Sequence, residues 1–561
     1  MTSYTPPVYS SPPSRDETSA QPARHGVVII GGGPVGLSAA IDLAQRGVNV
    51  VLLDEDDTVC LESRAIVWAR RTMEIWDRLG CGERMLGKSI RWDTGRILYG
   101  QELLFKFHLE TEKGHRYPAN LNLQQYYVEQ YLVERARQLP AIDLRWKNRV
   151  AGAEPKADHV LLTIETPRGA YAIAADWVIA ADGPRSPMRR FLGLEREGKV
   201  FQDRFLNTLV RMNEDYAHER WFWFDAPFCA GGTALLHQLP DNLFRIDMEL
   251  GPGVDMSEEV RPERVRSRLQ EMLGAQTTFT VEWTSSYVVQ CTRLARFRHG
   301  RVLFAGDSAH QVSPYGARGG NSGVPDVDNL CWKLDLVMRG LAPERLLDSY
   351  DHERGAAADE NLSASTRSTQ FISPPNEVAR RFRDATLQLA GEHAYAREMI
   401  DSGRLSQPTT YADSPLNATD SDAFDGGVPP GAPAEDAPVK AGARDGWLLH
   451  AMQGGEFTGL YYTDGGVSPD TLAALAELRS GRLPVQVIIA SPRQPTVDTP
   501  GFTTLADPGG VLGKRYAMRS GGFYLFRPDQ HVCGRWQSFA LPRVLDAVRR
   551  AIGQGAAEQG Q

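Results

Sequence analysis

Residues 26–36 read GVVIIGGGPVG, and this stretch restricts the fold more than any other. The apolar run 26–30 predicts a buried parallel strand. Gly31, Gly33 and Gly36 follow in G-x-G-x-x-G spacing, with Pro34 and Val35 opening a helix between the last two. The first glycine of such a motif permits the tight turn. The second lets the backbone approach a pyrophosphate, and the third lets helix and strand pack closely. The helix carries Leu37, Ala40, Ile41 and Ala44 on one face and ends at Gly47. Its free N–H groups and positive dipole end therefore point at the turn. A second apolar run, 48–53, leads to Asp54 and Glu55, where an acid can accept hydrogen bonds from ribose hydroxyls. The same acidic run, 54–57, also suits a solvated turn.

A second glycine-rich stretch, 306–321, reads GDSAHQVSPYGARGGN and follows an apolar strand pattern at 301–305. Gly316, Gly319, Gly320 and Asn321 form a helix start that offers N–H donors and a positive dipole end. Donors so placed stabilise an anionic ring such as a reduced flavin. His310 reads as a structural histidine in a turn.

At 561 residues the chain has room for two to four domains. Its net charge of −8, without a long basic run, argues against a nucleic-acid partner. No apolar stretch reaches the roughly 18 residues of a membrane span. Cys60, Cys81, Cys229, Cys291, Cys331 and Cys533 fall into no C-x-x-C or zinc-like pattern, so no metal site is expected and a reduced cytoplasmic protein fits.

Residues 1–24 are rich in Ser, Pro and Thr and read as a disordered tail. The nucleotide-binding unit is assigned to 25–90 with 120–199 and 290–370, the return coming through the motif ADGPRS at 181–186. Segments 91–119 and 200–289 form a substrate domain of antiparallel strands. Phe244, Ile246, Met248 and Leu250 alternate there with Arg245, Asp247 and Glu249, the mark of a half-buried strand. A helical connection spans 371–410, a Pro/Gly/Asp-rich linker 411–445, and a small third domain 446–553. The fold class is α/β with an α+β insert: a Rossmann-like domain interleaved with an antiparallel-sheet domain.

Four motifs in order now carry a resemblance: the glycine fingerprint, RAIVWARRTMEIWDRLG at 64–80, the D-G pair and the G-D stretch. The chain resembles the class A FAD-dependent aromatic hydroxylases, in the branch of phenol hydroxylase and 3-(3-hydroxyphenyl)propionate hydroxylase. The resemblance implies non-covalent FAD, with Arg64 and Gln125 near the ribityl and phosphate groups and Val150 by the adenine. Asp182 and Gly183 match the D-G pair, Gly306 and Asp307 the ribityl-binding turn. Pro314, Gly316, Gly319, Gly320 and Asn321 match the segment facing the isoalloxazine ring. It further implies a thioredoxin-like C-terminal domain, here with Cys533 alone and so without dithiol chemistry, and a homodimer.

The implied reaction takes hydride from NAD(P)H and O2 to a flavin C4a-hydroperoxide that hydroxylates an electron-rich ring. A phenol has a pKa of about 10, so a base or polar relay should assist its ionisation. No motif identifies that base. Pocket candidates are Trp68, Tyr99, Trp221, Trp223, His237, Arg245, Tyr287 and Pro314. A disulfide reductase is excluded because Cys60 has no nearby partner in sequence. A flavin-dependent halogenase is excluded because Asp225 and Ala226 stand where W-x-W-x-I-P needs Ile and Pro. Two other readings stay open: a tailoring oxygenase acting on a larger polyketide-like aromatic, and a non-catalytic FAD-binding protein.

Overall fold

The structure, a computed structural model, describes residues 4–60, 65–109, 113–213, 218–229, 231–251, 254–400, 406–452, 455–493 and 501–554. Three large sheets organise it. The first is built on Ala23–Ile30, whose last four residues are all buried. Gly169–Ala180 and Val50–Leu53 flank that strand in parallel. Val302–Phe304 and Ile142–Arg145 extend the parallel set on either side. Helix Pro34–Gln45 covers one face, with Leu37, Ala40 and Ile41 buried, as an apolar stripe requires.

The second sheet has eight strands. Its centre is the long pair Arg196–Met212 and Phe279–Leu294, followed by Leu243–Glu249, Gly232–Leu239 and Glu219–Ala226. Thr94–Tyr99 joins the far side in parallel, so segment 94–108 belongs to this sheet although it lies early in the chain. The third sheet, near the C-terminus, places Phe457–Tyr462 between parallel Val485–Ser491 and antiparallel Phe523–Phe526. Val532–Trp536 pairs with the latter on the outside.

Two segments depart from expectation. The first 24 residues are not a disordered tail over the part described. Tyr9 is buried and stacks on Trp146 at 4.7 Å, and Tyr4 stacks on Tyr126 at 4.0 Å. Ser and Pro dominate the composition, but two tyrosines anchor the segment. The linker 411–445 is likewise packed. Tyr411, Ser414 and Leu416 are buried, and Pro438–Ala441 is already a strand of the third sheet. Its Gly and Pro residues shape tight turns rather than supply slack, and Gly431 at φ +86° abuts the Tyr411 carbonyl.

Among the described residues no helix is long and apolar enough to cross a membrane. Cys81, Cys229, Cys291, Cys331 and Cys533 are buried free thiols.

Candidate active site

The two glycine motifs meet in space. A Cβ on Gly306 would lie 2.9 Å from Val35 Cγ2, and one on Gly323 2.8 Å from the same atom. Val35, at the start of the first helix, is thus clasped by the G-D turn and the helix Gly319–Met338. Gly31, at φ +106°, leaves no room for a Cβ against the Ala181 carbonyl, and a Cβ on Gly36 would overlap the Gly31 oxygen. The glycine fingerprint, the D-G pair and the G-D turn therefore converge on one line.

Along that line the protein presents the fittings of a dinucleotide. Nothing lies within 4 Å of where a Cβ on Gly33 would stand, so the helix N-terminus is open for close approach. Asp54 accepts hydrogen bonds from Gly32 N–H and Asp56 N–H; burial still pushes its carboxyl up to about 6. A cleft of about 640 Å³ beside it is lined by Glu55, Val150, Asp182, Arg189 and Arg190, among others. Asp182 accepts from Ser186 Oγ and Met188 N–H with one oxygen, while the other is buried without a partner. Gly183 takes φ +73° at the turn. These features fit FAD: an open helix end, a cleft carrying acid and base, and an unsatisfied carboxylate oxygen.

Other expected contacts are placed as follows. Arg64 lies outside the described residues. Gln125 holds the chain next to it, accepting from Ala65 N–H and donating to Glu129. Glu129, wholly enclosed, is pushed up to about 7 by burial. Asp307 Oδ1 sits 4.0 Å from the Cβ position of Gly319, at the helix start. Asn321 is fully engaged by protein. It accepts from Ala69 N–H and Thr72 Oγ and donates to the Val67 and Ala317 carbonyls, so its backbone is what it can offer a cofactor. Pro314 and Gly316 form the turn before that helix, closed by Ala317 N–H to the Pro314 carbonyl. Sequence reading stopped at Ser186 and missed Arg189, which clamps the D-G loop to the G-D turn by donating to the Ser308, Asp307 and Gly183 carbonyls.

Beyond the turn lies one face of the second sheet. Tyr315 stands edge-on to Phe205 at 5.6 Å and meets Phe222 at 6.5 Å. Strand alternation decides what shares that face. His237 pairs with Arg245, and Arg245 with Leu209. Arg220 lies one step beyond the Trp221–Leu236 pair, opposite His237. The next row carries Phe222, Leu235, Asp247 and Asn207. Tyr287 pairs with Phe205 one row further, its hydroxyl 3.5 Å from Asp247. Tyr99, in register with Phe224, lies on the same face at the sheet's far side. Arg245, His237 and Tyr287 therefore share the sheet face that Tyr315 of the turn packs against.

Trp221 and Trp223 do not. They project from the opposite face and pack with Leu236, Ile246, Val265 and Leu269. Period-two geometry excludes neighbouring residues from sharing a face, so their aromatic step marks the sheet's core side. Trp68 is fully buried, donates to the Leu123 carbonyl and packs under the helix start, 2.7 Å from the Cβ position of Gly320. His310 is structural: Nε2 meets Asp326 at 2.7 Å inside the core.

The polar face has unsatisfied capacity. Arg245 donates to Asp247 from Nε and Nη2, each at 3.1 Å. Arg220, half-buried and over the Trp92 ring at 6.0 Å, has no carboxylate within ion-pair distance among the described residues, and desolvation pushes it down to about 10. Its Nε, His237 Nδ1 and Asn207 Oδ1 are buried without partners. Burial, then Arg220 and Arg245, hold His237 well below its ordinary 6.5, so it is neutral. Buried polar atoms are seldom left so, and these three share one sheet face. Arg220, Asn207 and Asp247 were not singled out in the sequence, where nothing separates them from a solvated strand face.

Comparison with known proteins gives the family and the fold. Residues 24–365 match the FAD binding domain family. The 6-methylpretetramide 4-monooxygenase of Streptomyces rimosus is 31% identical over 91% of this chain and 90% of its own. Para-nitrophenol 4-monooxygenase of Pseudomonas sp. (strain WBC-3) is 28% identical, and two thirds of this chain (67%) accounts for 94% of that shorter protein. The crystal structure of the flavin-dependent monooxygenase PieE with FAD and substrate superposes with a TM-score of 0.79 at 23% identity, covering 95% of this chain and all of that one.

Proposed function

We propose a substrate and a mode of binding from one premise: the chain belongs to the FAD binding domain family and is an FAD-dependent aromatic monooxygenase. The substrate is a phenolic ring, seated between the turn 314–317 and the polar face of the second sheet, with NAD(P)H as electron donor. The observation that carries this reading is the group of unpartnered polar atoms at Arg220, His237 and Asn207 on that face.

Bound FAD supplies the redox chemistry, accepting reducing equivalents and activating O2. Gly33, the first helix, Asp182 and the G-D turn would hold it. The chain's own residues then prepare the ring. Arg220 receives the phenolic oxygen as an anion, which supplies the counter-charge its guanidinium lacks. His237, neutral, accepts a hydrogen bond from the phenol hydroxyl at Nδ1 before the ring oxygen ionises against Arg220. Asp247 fixes Arg245 and takes the Tyr287 hydroxyl, so the wall behind the ring is rigid. Phe205, Phe222 and Leu235 keep water from the reacting centre.

A larger, polyketide-like aromatic is a second reading, favoured by the 6-methylpretetramide enzyme, whose match runs through the C-terminal region as well. That C-terminal region we read as a thioredoxin-like domain. Two parallel strands joined by helix Pro469–Ser480 precede an antiparallel pair and the helix Leu541–Ala551, which supports the reading. Buried, solitary Cys533 gives it no dithiol role.

The test is NAD(P)H oxidation by the purified holoenzyme with simple phenols and with fused polyphenols, counting hydroxylated product against H2O2. Coupled hydroxylation of a phenol supports the first reading. Coupling only with fused rings selects the second, and none with either would refute the proposed site.

A further inference from the structure

A chain of buried ion pairs joins the C-terminal domain to the cofactor turn. Its pivot is the adjacent pair Glu353–Arg354 on helix Asp348–Ile372. The two side chains point opposite ways. Arg354 donates from Nε to Asp326 Oδ1 at 2.7 Å and from Nη2 to the Ser322 carbonyl at 3.0 Å. Asp326 in turn accepts the Gly306 N–H at 2.8 Å. Arg354 thus grips the G-D turn through Asp326 and the first turn of helix Gly319–Met338 directly. Glu353 accepts from Arg527 at 2.5 Å and Lys333 at 2.7 Å. Arg527 is held by Asp529 at 2.7 Å, all within the C-terminal domain's outer strand pair and its turn.

A second route reaches the same arginine. Arg354 Nη1 donates to Tyr411 Oη at 2.8 Å, and the Tyr411 ring stacks on His531 at 4.7 Å. Side chains of Asp326, Lys333, Glu353, Arg354, Arg527 and Asp529 are no more than 3% exposed. Simple packing of two domains would not need charges at this depth, since apolar residues of equal volume do as well or better. Both routes end on the two segments that face the cofactor.

We propose that the C-terminal domain positions the G-D turn and the adjoining helix start for FAD, with Arg354 as positioning residue and Tyr411, Arg527 and His531 as its remote supports. This rests on the G-D turn facing the cofactor. The exchange measurement below is made without cofactor, so failure of the coupling is distinguishable from failure of that placement; Asp307→Asn, if it left FAD affinity unchanged, would count against the placement alone.

The experiment uses the full-length chain. Amide hydrogen exchange at 306–311 is followed in the apoprotein, FAD affinity by titration, and stability by thermal unfolding. Tyr411→Phe keeps ring and stack and removes only the hydroxyl. It should speed exchange at 306–311 and raise the FAD dissociation constant about 2- to 30-fold, the range for couplings carried through such networks. Arg527→Met should do the same, and Arg527→Lys should restore part of the loss. Arg543→Ala, which breaks a surface pair with Asp422 in the same domain, should change neither. If Tyr411→Phe and Arg527→Met lower the melting temperature while exchange and FAD affinity match wild type, the network only glues the domains and the proposal falls. Should Arg527→Met not fold, Tyr411→Phe decides alone.

Discussion

Two buried polar clusters sit on either side of the cofactor line, and they are opposites. Around Glu353 each charged group has a partner of opposite sign: Arg527 with Asp529, Lys333 with Glu353, Arg354 with Asp326. On the sheet face Arg245 has Asp247, but Arg220 has no carboxylate among the described residues, and His237 Nδ1 and Asn207 Oδ1 make no hydrogen bond. His237 and Asn207 are buried as core residues are, and Arg220 is half-buried, so the difference lies in who completes the set. Protein completes the first cluster, which makes it architecture. In the reading proposed above, the second is finished by a molecule that arrives, which would make it a receptor.

That contrast can be broken most forcefully at Glu353. Glu353→Ala leaves Arg527 and Lys333 buried without their acid and should cost about 3–5 kcal/mol in denaturant unfolding. A loss under 1 kcal/mol would show that the cluster is not the satisfied one. Arg220→Met should behave in the reverse way. The apoprotein should melt at or above the wild-type temperature, because a half-buried cation without an acidic partner is removed. KM for the phenol should rise about 10- to 150-fold, the equivalent of about 1.5–3 kcal/mol for a charged hydrogen bond. A melting temperature that falls instead would mean that Arg220 is structural.

Acid gives a third discriminator. Arg527 and Lys333 beside Glu353 hold its carboxyl well below the ordinary 4.5, against the penalty of burial. Its contribution is therefore complete above pH 4.5 and is lost as pH falls below that value, by about 1.4 kcal/mol per pH unit for one proton. Guanidinium midpoints at successive pH values should show this acid limb in wild type and a shallower one in Glu353→Gln. His237, neutral through this range, should add no inflection near 6.5 to the pH dependence of KM. The smallest effect is expected of Tyr287→Phe. It loses one long contact of 3.5 Å to Asp247, and kcat/KM should drop only about 2- to 10-fold, the worth of a single hydrogen bond.

The nucleotide-binding sheet was legible because its signals are local. A strand, three spaced glycines and a helix lie within some twenty residues; Gly31 and Gly36 answer clashes with their immediate surroundings, and Gly33 keeps the helix end open. The Rossmann-type core and the G-D helix were therefore readable without coordinates. The substrate face was legible only by half. Alternation at 244–250 announced a strand but not which parity faced the cofactor, so Trp221 and Trp223 were set beside His237 although the sheet separates them. Arg220 became informative only once its lack of an acidic partner among the described residues could be seen. The packed start and linker were misread because single buried aromatics outweigh a disordered composition: Tyr9 stacked on Trp146 in one region, Tyr411 stacked on His531 in the other. Arg71 makes the same point, sitting inside a recognised motif yet binding the Asp529 carbonyl 458 positions away.

The alternation in Leu243–Glu249 carries one more lesson. Phe244, Ile246 and Met248 belong to the core, while Arg245 and Asp247 belong to the pocket. Heritable change at odd positions can thus retune what the enzyme accepts while even positions keep the sheet intact. A one-residue deletion in this strand would exchange the two sets and lose both. Such a strand can diversify by substitution and hardly at all by slippage, so lineages descending from a chain like this one would differ in pocket chemistry long before they differed in strand length.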